Sequence, residues 1–204
     1  MTRLIALVGT NSDKSTNRQL LSYIAKHFAD KADIELMEIK DIPLFNKGLM
    51  HSIPTSVQEK EAKIAAADGV IIATPEYDHS IPAALQNALE WFSVGQHPFV
   101  DKPVMIVGAS YGTLGSSRAQ AQLRQILDAP ELRAYIMPSS EYHLAHSLQA
   151  FDESGALKDS EQIRRLEALF TDFLVFIKIT SQLTETHAQH QKEVEAFSWE
   201  ELEQ

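Results

Sequence analysis

Three short apolar runs, residues 3–8, 69–74 and 103–109, constrain this chain more than any other feature. Each is apolar at consecutive positions rather than at alternate ones, so each reads as a strand buried on both faces. A loop of small polar residues or prolines follows each run, and then a stretch of helical period. Leu20, Leu21, Ile24 and Phe28 share one helical face behind the capping residues Ser15, Thr16 and Asn17. Pro82 opens a second such stretch, with Leu85, Ala88, Leu89 and Phe92 on one face, and residues 118–127 form a third. Residues 57–67 add a helix, and residues 34–39 alternate apolar with charged positions as an edge strand with one wet face does. Residues 40–55, with Pro43, Gly48 and Pro54, read as a long loop. A fifth strand is expected over 132–137, then a long connection over 138–158. A last amphipathic helix carries Ile163, Leu166, Phe170, Phe173, Leu174 and Ile177. Strands separated by helices predict a doubly wound α/β fold, five parallel strands in the order 2-1-3-4-5 with helices on both faces.

At 204 residues, 44% hydrophobic and 23% charged, the chain suits one ordinary domain. No apolar run reaches the roughly 18 residues of a membrane span, and the first residues show no signal-peptide core, so the chain reads as cytoplasmic. The absence of cysteine excludes disulfides, thiolate catalysis and cysteine-ligated metal or iron–sulfur sites. Eighteen basic against 28 acidic residues give a formal charge of −10, which argues against a nucleic-acid surface or an anionic-membrane anchor. Half of that excess lies beyond Leu183, so residues 184–204 read as an acidic tail behind a folded unit of residues 1–183.

In an open parallel sheet, ligands bind beyond the carboxyl ends of the strands, near the point where strand order reverses. Three loops fall at that edge. Residues 9–17 place hydroxyl and amide side chains and Lys14 before a helix start, and by themselves read equally as a phosphate site on free helix N–H groups or as a capping loop of small polar residues. The run resembles a nucleoside-triphosphate loop only superficially: Asp13 precedes Lys14 where glycine is required, and the spacing from Gly9 is one short. Nor does the first unit carry the G-x-G-x-x-G of a standard dinucleotide site. Residues 74–82 leave a buried strand with two prolines, Glu76, Tyr77 and Asp78, a stiff loop suited to the polar edge of a flat ring. Residues 110–118 supply glycines and a second aromatic, Tyr111.

These residues resemble the NADPH-dependent FMN reductases of flavodoxin-like fold, whose members reduce azo compounds, quinones and chromate. The resemblance runs over roughly residues 3–180. It rests on Gly9-Thr10, Ser15 and Asn17, on Thr74-Pro75-Glu76-Tyr77 with Ser80-Ile81-Pro82 and Asn87-Ala88-Leu89-Glu90-Trp91, and on Gly115 with Arg118-Ala119-Gln120 and Leu123-Arg124. It implies that Thr10, Ser12, Ser15, Thr16 and Asn17 cradle the FMN phosphate. Pro75, Glu76, Tyr77 and Asp78 would line the isoalloxazine, and Ser110, Tyr111, Gly112 and Gly115 close its other side. It implies two-electron transfer from NADPH or NADH through FMN to a small-molecule acceptor such as a quinone, azo compound or free flavin. No obligatory catalytic side chain is expected, and Tyr77, His79 and Tyr111 are the candidate substrate contacts. A homodimer, or a tetramer built from it, is implied as well. The chain departs from the pattern at Ser12, where the family has arginine, at Asp78, where it has asparagine, and at Ser116, where it has a second glycine. Lys14 can replace the arginine only as a point charge.

Rival readings are a one-electron carrier of the flavodoxin type and a flavin-free interaction module. His143 with His146, and His187 with His190, are spaced i, i+3 but lack a third metal ligand at matching spacing; they read as residues of a loop and of a solvated tail, and no metal is expected. Trp91 reads either as core or as homodimer surface. Phe197, Trp199 and Leu202 in the acidic tail read either as docking on a partner subunit, which two large aromatics favour, or as part of a disordered solubilising segment.

Overall fold

The computed structural model describes residues 1–139 and 141–196. Strand β1 (Thr2–Val8) is followed by helix α1 (Thr16–His27), β2 (Ala32–Met37), α2 (Thr55–Ala66), β3 (Gly69–Ala73), α3 (Ala83–Phe92), β4 (Pro103–Ala109) and α4 (Ser117–Leu127). Two short strands, β5 (Tyr135–Ile136) and β6 (Tyr142–Leu144), precede α5 (Ser160–Thr180) and α6 (Thr184–Glu195). The sheet runs β2-β1-β3-β4-β5, all parallel, with β6 also on β4. The fold is flavodoxin-like, in the predicted order.

β1, β3 and β4 form the centre because both of their faces are apolar. Leu4, Ala6 and Val8 pack with Ile71, Met105 and Val107 under α1 and α5, while Ile5, Leu7, Val70, Ile72 and Ile106 pack on the other face under α2, α3 and α4. Phe28 stacks on Phe170, ring centroids 3.9 Å apart, joining α1 to α5. Past the strand ends the backbones stay together: Gly9 N–H donates to the Ala73 carbonyl at 2.8 Å, and Thr74 N–H to that of Val107 at 3.1 Å. A Cβ at Gly9 would meet the Ala73 carbonyl oxygen at 2.5 Å, so only glycine allows this approach.

Several expectations are corrected. β2 begins and ends two residues early, because its register with β1 runs from Thr2↔Ala32 to Leu7↔Met37. The fifth strand is split: β5 pairs with Pro103 and Val104, and β6 with Val107 to Ala109, so β6 lies inside the segment expected to be irregular. Between them Pro138 has no N–H to give the ladder and Ser139 takes φ 54°, which turns the chain out of the sheet and back. Trp91 is core rather than dimer surface: it is fully buried, donates from Nε1 to the Pro43 carbonyl at 2.8 Å and packs edge-on against Phe45.

Residues 184–195 are helical. His187, itself exposed, and His190 are not in a free tail, because their Nδ1 atoms lie 3.1 and 2.7 Å from Oδ2 of Asp101, whose side chain is buried. Arg133 pairs with Glu193 at 2.9 Å, and Val194 is buried. α6 therefore lies across the amino ends of β4 and β5. His143 sits on β6 and His146 in the turn beyond it, so they are not a pair on one helix. Phe197, Trp199 and Leu202 lie outside the described residues. Among the described residues, no helix is long and apolar enough to cross a membrane.

Candidate functional site

The loops after β1, β3 and β4 meet at the carboxyl edge of the sheet around a cleft of about 530 Å³. Its lining includes Ser12, Lys14, Ser15, Thr16 and Asn17 from the first loop and the start of α1, and Pro75, Glu76 and Tyr77 from the second. The third loop gives Ala109, Ser110, Tyr111, Gly112, Thr113, Leu114 and Ser116. Thr10, Asp78, His79 and Gly115 are not part of that lining.

The end of the cleft at α1 is built to receive an anion. Ser15 is the N-cap, in extended conformation, and its Oγ accepts from Arg18 N–H at 3.2 Å. The earlier first-turn N–H groups, on Thr16 and Asn17, have no acceptor within the helix and point out of its positive end. Ser12, Lys14, Ser15 and Thr16 line the cleft there, and the Ser12 hydroxyl donates to the Lys14 carbonyl at 3.0 Å. Asn17 contributes through its backbone, because its side chain is already engaged: Nδ2 donates to the Ala109 carbonyl, and Oδ1 accepts from Ala109 N–H, both at 2.8 Å. Thr10 is buried beneath the loop, accepting from Ser12 N–H at 3.2 Å, with its hydroxyl 3.5 Å from that of Tyr77.

Arg18, which sequence reasoning missed, holds the loop from outside. Its guanidinium makes two bonds to the Glu38 carboxylate and donates to the carbonyls of Ser12 and Asp13 at 2.8 and 3.0 Å. The Glu38 contact raises its already high pKa. Asp13 bonds Lys40 at 2.8 Å, which lowers its pKa. With these two side chains paired elsewhere, Lys14 is the cation that the loop itself brings to the cleft.

The opposite end is stiff and aromatic. Pro75 is buried, whereas Tyr77 is 48% and Tyr111 59% exposed at the rim. Tyr77 and Ser80 exchange backbone hydrogen bonds of 3.0 and 2.9 Å around Asp78 and His79, at φ 51° and 65°. This is a two-residue hairpin turn with both central residues left-handed, and it leaves both side chains exposed. Asp78 and His79 therefore stand beyond the rim.

The Glu76 carboxylate is tied to the start of α4. Its Oε2 accepts from Arg118 and Ala119 N–H at 3.0 and 3.4 Å, and its Oε1 pairs with Arg118 Nη1 at 3.2 Å. It caps α4 in place of Ser116, whose left-handed backbone (φ 68°) provides no side-chain cap. Gly115, at φ 57°, packs under β6, where a Cβ would lie 2.6–2.8 Å from His143 atoms. Gln120, buried, ties this corner together by donating to the carbonyls of Gly115 and Tyr142.

A hydroxyl-lined anion end joined to an open aromatic end, at the switch point of a 2-1-3-4-5 sheet, defines a flavodoxin-like protein that fits a phosphorylated flat cofactor. Residues 2–149 match the family model described as NADPH-dependent FMN reductase, and the chain belongs to that family of oxidoreductases, with FMN as cofactor and a reduced nicotinamide as donor. It is 49% identical over 196 residues, 96% of each chain, to the NADH:(hydroxy)cinnamate reductase subunit CrdA of Vibrio ruber. It is 42% identical to the NADH-dependent flavin reductase subunit 2 of Lactobacillus johnsonii, over 86% of this chain and 97% of that one. Among solved structures, the NAD(P)H:(acceptor) oxidoreductase FerB of Paracoccus denitrificans superposes with a TM-score of 0.80 at 26% identity, covering 88% of this chain and 99% of FerB.

Proposed function

We propose that this chain binds FMN with its phosphate on the first turn of α1 and its ring between Tyr77 and Tyr111, and reduces a flat conjugated acceptor at the open face. The observation that carries this reading is the single cleft running from the α1 N-terminus to those two half-exposed tyrosines. Bound there, FMN supplies the two-electron chemistry.

The protein's part is positioning and electrostatics. Ser15 and Thr16 offer hydroxyl protons to an anion, while the Ser12 hydroxyl donates to the Lys14 carbonyl at 3.0 Å and shapes the loop; Lys14 balances one of the anion's charges but does not fix its orientation as an arginine would. Pro75 and the Glu76 cap on α4 keep the second loop rigid, so that its backbone N–H and C=O groups meet a polar ring edge without first being ordered. Tyr77 and Tyr111 provide apolar faces that exclude water from one side of a stacked acceptor. Ser110 and Gly112 leave the third loop's backbone close to the opening.

The acceptor class is a quinone, azo compound, free flavin or similar flat oxidant; the hydroxycinnamate in the Vibrio relative's name has the same flat conjugated character. The reductase unit is residues 1–183, acting in the cytoplasm where nicotinamide donors are regenerated. It works as a homodimer: Tyr77, Tyr111 and Leu114, all at least 46% exposed around the mouth, give a second copy an apolar surface to cover.

The test is anaerobic reduction of the FMN-loaded, desalted chain by NADH and by NADPH, followed in the flavin absorption band. One equivalent of nicotinamide should bleach one equivalent of flavin. A flavin band that neither nicotinamide changes contradicts the reading, as does a chain that emerges colourless.

A further inference from the structure

We propose that Ser147 is a positioning residue for the phosphate end of the flavin site, acting through Thr16. This inference rests on the placement of FMN proposed above. Ser147 lies in the long connection after β6, is 1% exposed and does not line the cleft. Its Oγ is 2.8 Å from Oγ1 of Thr16, a lining residue at the first position of α1. Its backbone N–H donates to the Ser110 carbonyl at 2.9 Å. On either side, Ser110 N–H donates to the Leu144 carbonyl at 3.0 Å and His146 N–H to that of Gly112 at 3.0 Å. One residue thus touches the anion loop with its side chain and the ring-side loop with its backbone.

The chemistry of the pair gives the contact a direction. A hydroxyl has one proton and two lone pairs, whereas a phosphate dianion only accepts. When Thr16 gives its proton to the phosphate, its Oγ1 must be the acceptor in the 2.8 Å contact, so Ser147 is the donor. The chain then runs from Ser147 to Thr16 to phosphate, each bond polarising the next towards the charge. Without an anion the pair can run either way. The bond therefore orients the Thr16 proton only when the ligand carries a phosphate, and a flavin without one gains nothing from it.

Dissociation constants for FMN and riboflavin, measured by quenching of flavin fluorescence on the full chain, test this directly. The variants are Ser147→Ala, Ser147→Cys, Thr16→Val and the Ser147→Ala/Thr16→Val double. Ser147→Ala should weaken FMN about five- to tenfold, the range of one hydrogen bond in a charge-linked chain, and leave riboflavin within about twofold. The double variant should bind FMN no more weakly than Thr16→Val alone, because the first residue acts through the second. Ser147→Cys keeps the shape with a weak donor and should fall between wild type and alanine, which preserves the test if alanine does not fold. Equal losses for FMN and riboflavin, or additive losses in the double variant, overturn the inference. A wild-type chain with no FMN affinity overturns instead the site reading on which it rests, and the inference with it.

Discussion

At the scale of single residues, the second loop divides its labour in a way its order in the chain does not reveal. Glu76 stands between two cleft-lining residues, Pro75 and Tyr77, yet its carboxylate caps α4 by accepting from N–H groups 42 and 43 residues further on. Glu76→Ala should cost about 1–2 kcal/mol in urea unfolding, as loss of an N-cap does, and should lower flavin affinity through a loosened loop. Glu76→Gln, which keeps an acceptor, should lose less. Glu61 makes an opposite case. It is 1% exposed on α2, with Oε1 accepting from Gln96 N–H at 3.0 Å and Oε2 buried without a hydrogen-bond partner among the described residues, and burial pushes its pKa up. Below the ordinary carboxylate range it is protonated in both folded and unfolded chains. As pH rises, the unfolded chain releases that proton first, so the stability this group contributes is lost through the interval up to its raised folded value. Glu61→Gln should remove that slope and stabilise the protein at pH 7 by on the order of 1 kcal/mol, as chemical unfolding at pH 4 and pH 7 will show. Neither role was legible in the sequence: a carboxylate's partner 42 residues away, or a carboxylate's burial, is set by tertiary packing.

Elements with apolar surfaces were legible because burial itself writes their period. β1, β3 and β4 are apolar on both faces, and α5 presents Leu166, Phe170, Phe173 and Ile177 on one stripe. β5 and β6 were not, since two and three residues carry no period and their pairing is decided by β4 alone. α6 was missed for another reason. Val194 is its buried apolar side chain, and the rest of its docking is polar, with His187 and His190 converging on Asp101. Removal of residues 184–204 should therefore lower stability by about 1–3 kcal/mol, the burial of one valine with its polar surroundings. FMN affinity should stay within about twofold, because α6 lies at the amino ends of the strands and the cleft at their carboxyl ends. Thermal melts and flavin titrations of the truncated chain check both halves. A flavin affinity lost with α6 would mean that the two edges are coupled.

Across the whole molecule, the sheet order places the three loops together, and the loops then determine the chemistry. That the cleft lies after β1, β3 and β4 could be read from strand order; which hydroxyls face it could not. Thr10 lies beneath the loop and Gly115 beneath β6, while Arg18 and Ser147, silent in the sequence, brace the site from outside. The departure at Ser12 has a counterpart here, since the anion end relies on a helix terminus, several hydroxyls and one lysine rather than on a guanidinium. The most direct measurement is a crystal structure of the full chain with FMN bound. The phosphate should sit against the first turn of α1, within hydrogen-bond distance of Ser12, Ser15 or Thr16, with the ring reaching Tyr77 and Tyr111. A flavin bound elsewhere, or with its phosphate turned towards the tyrosines, would contradict the site.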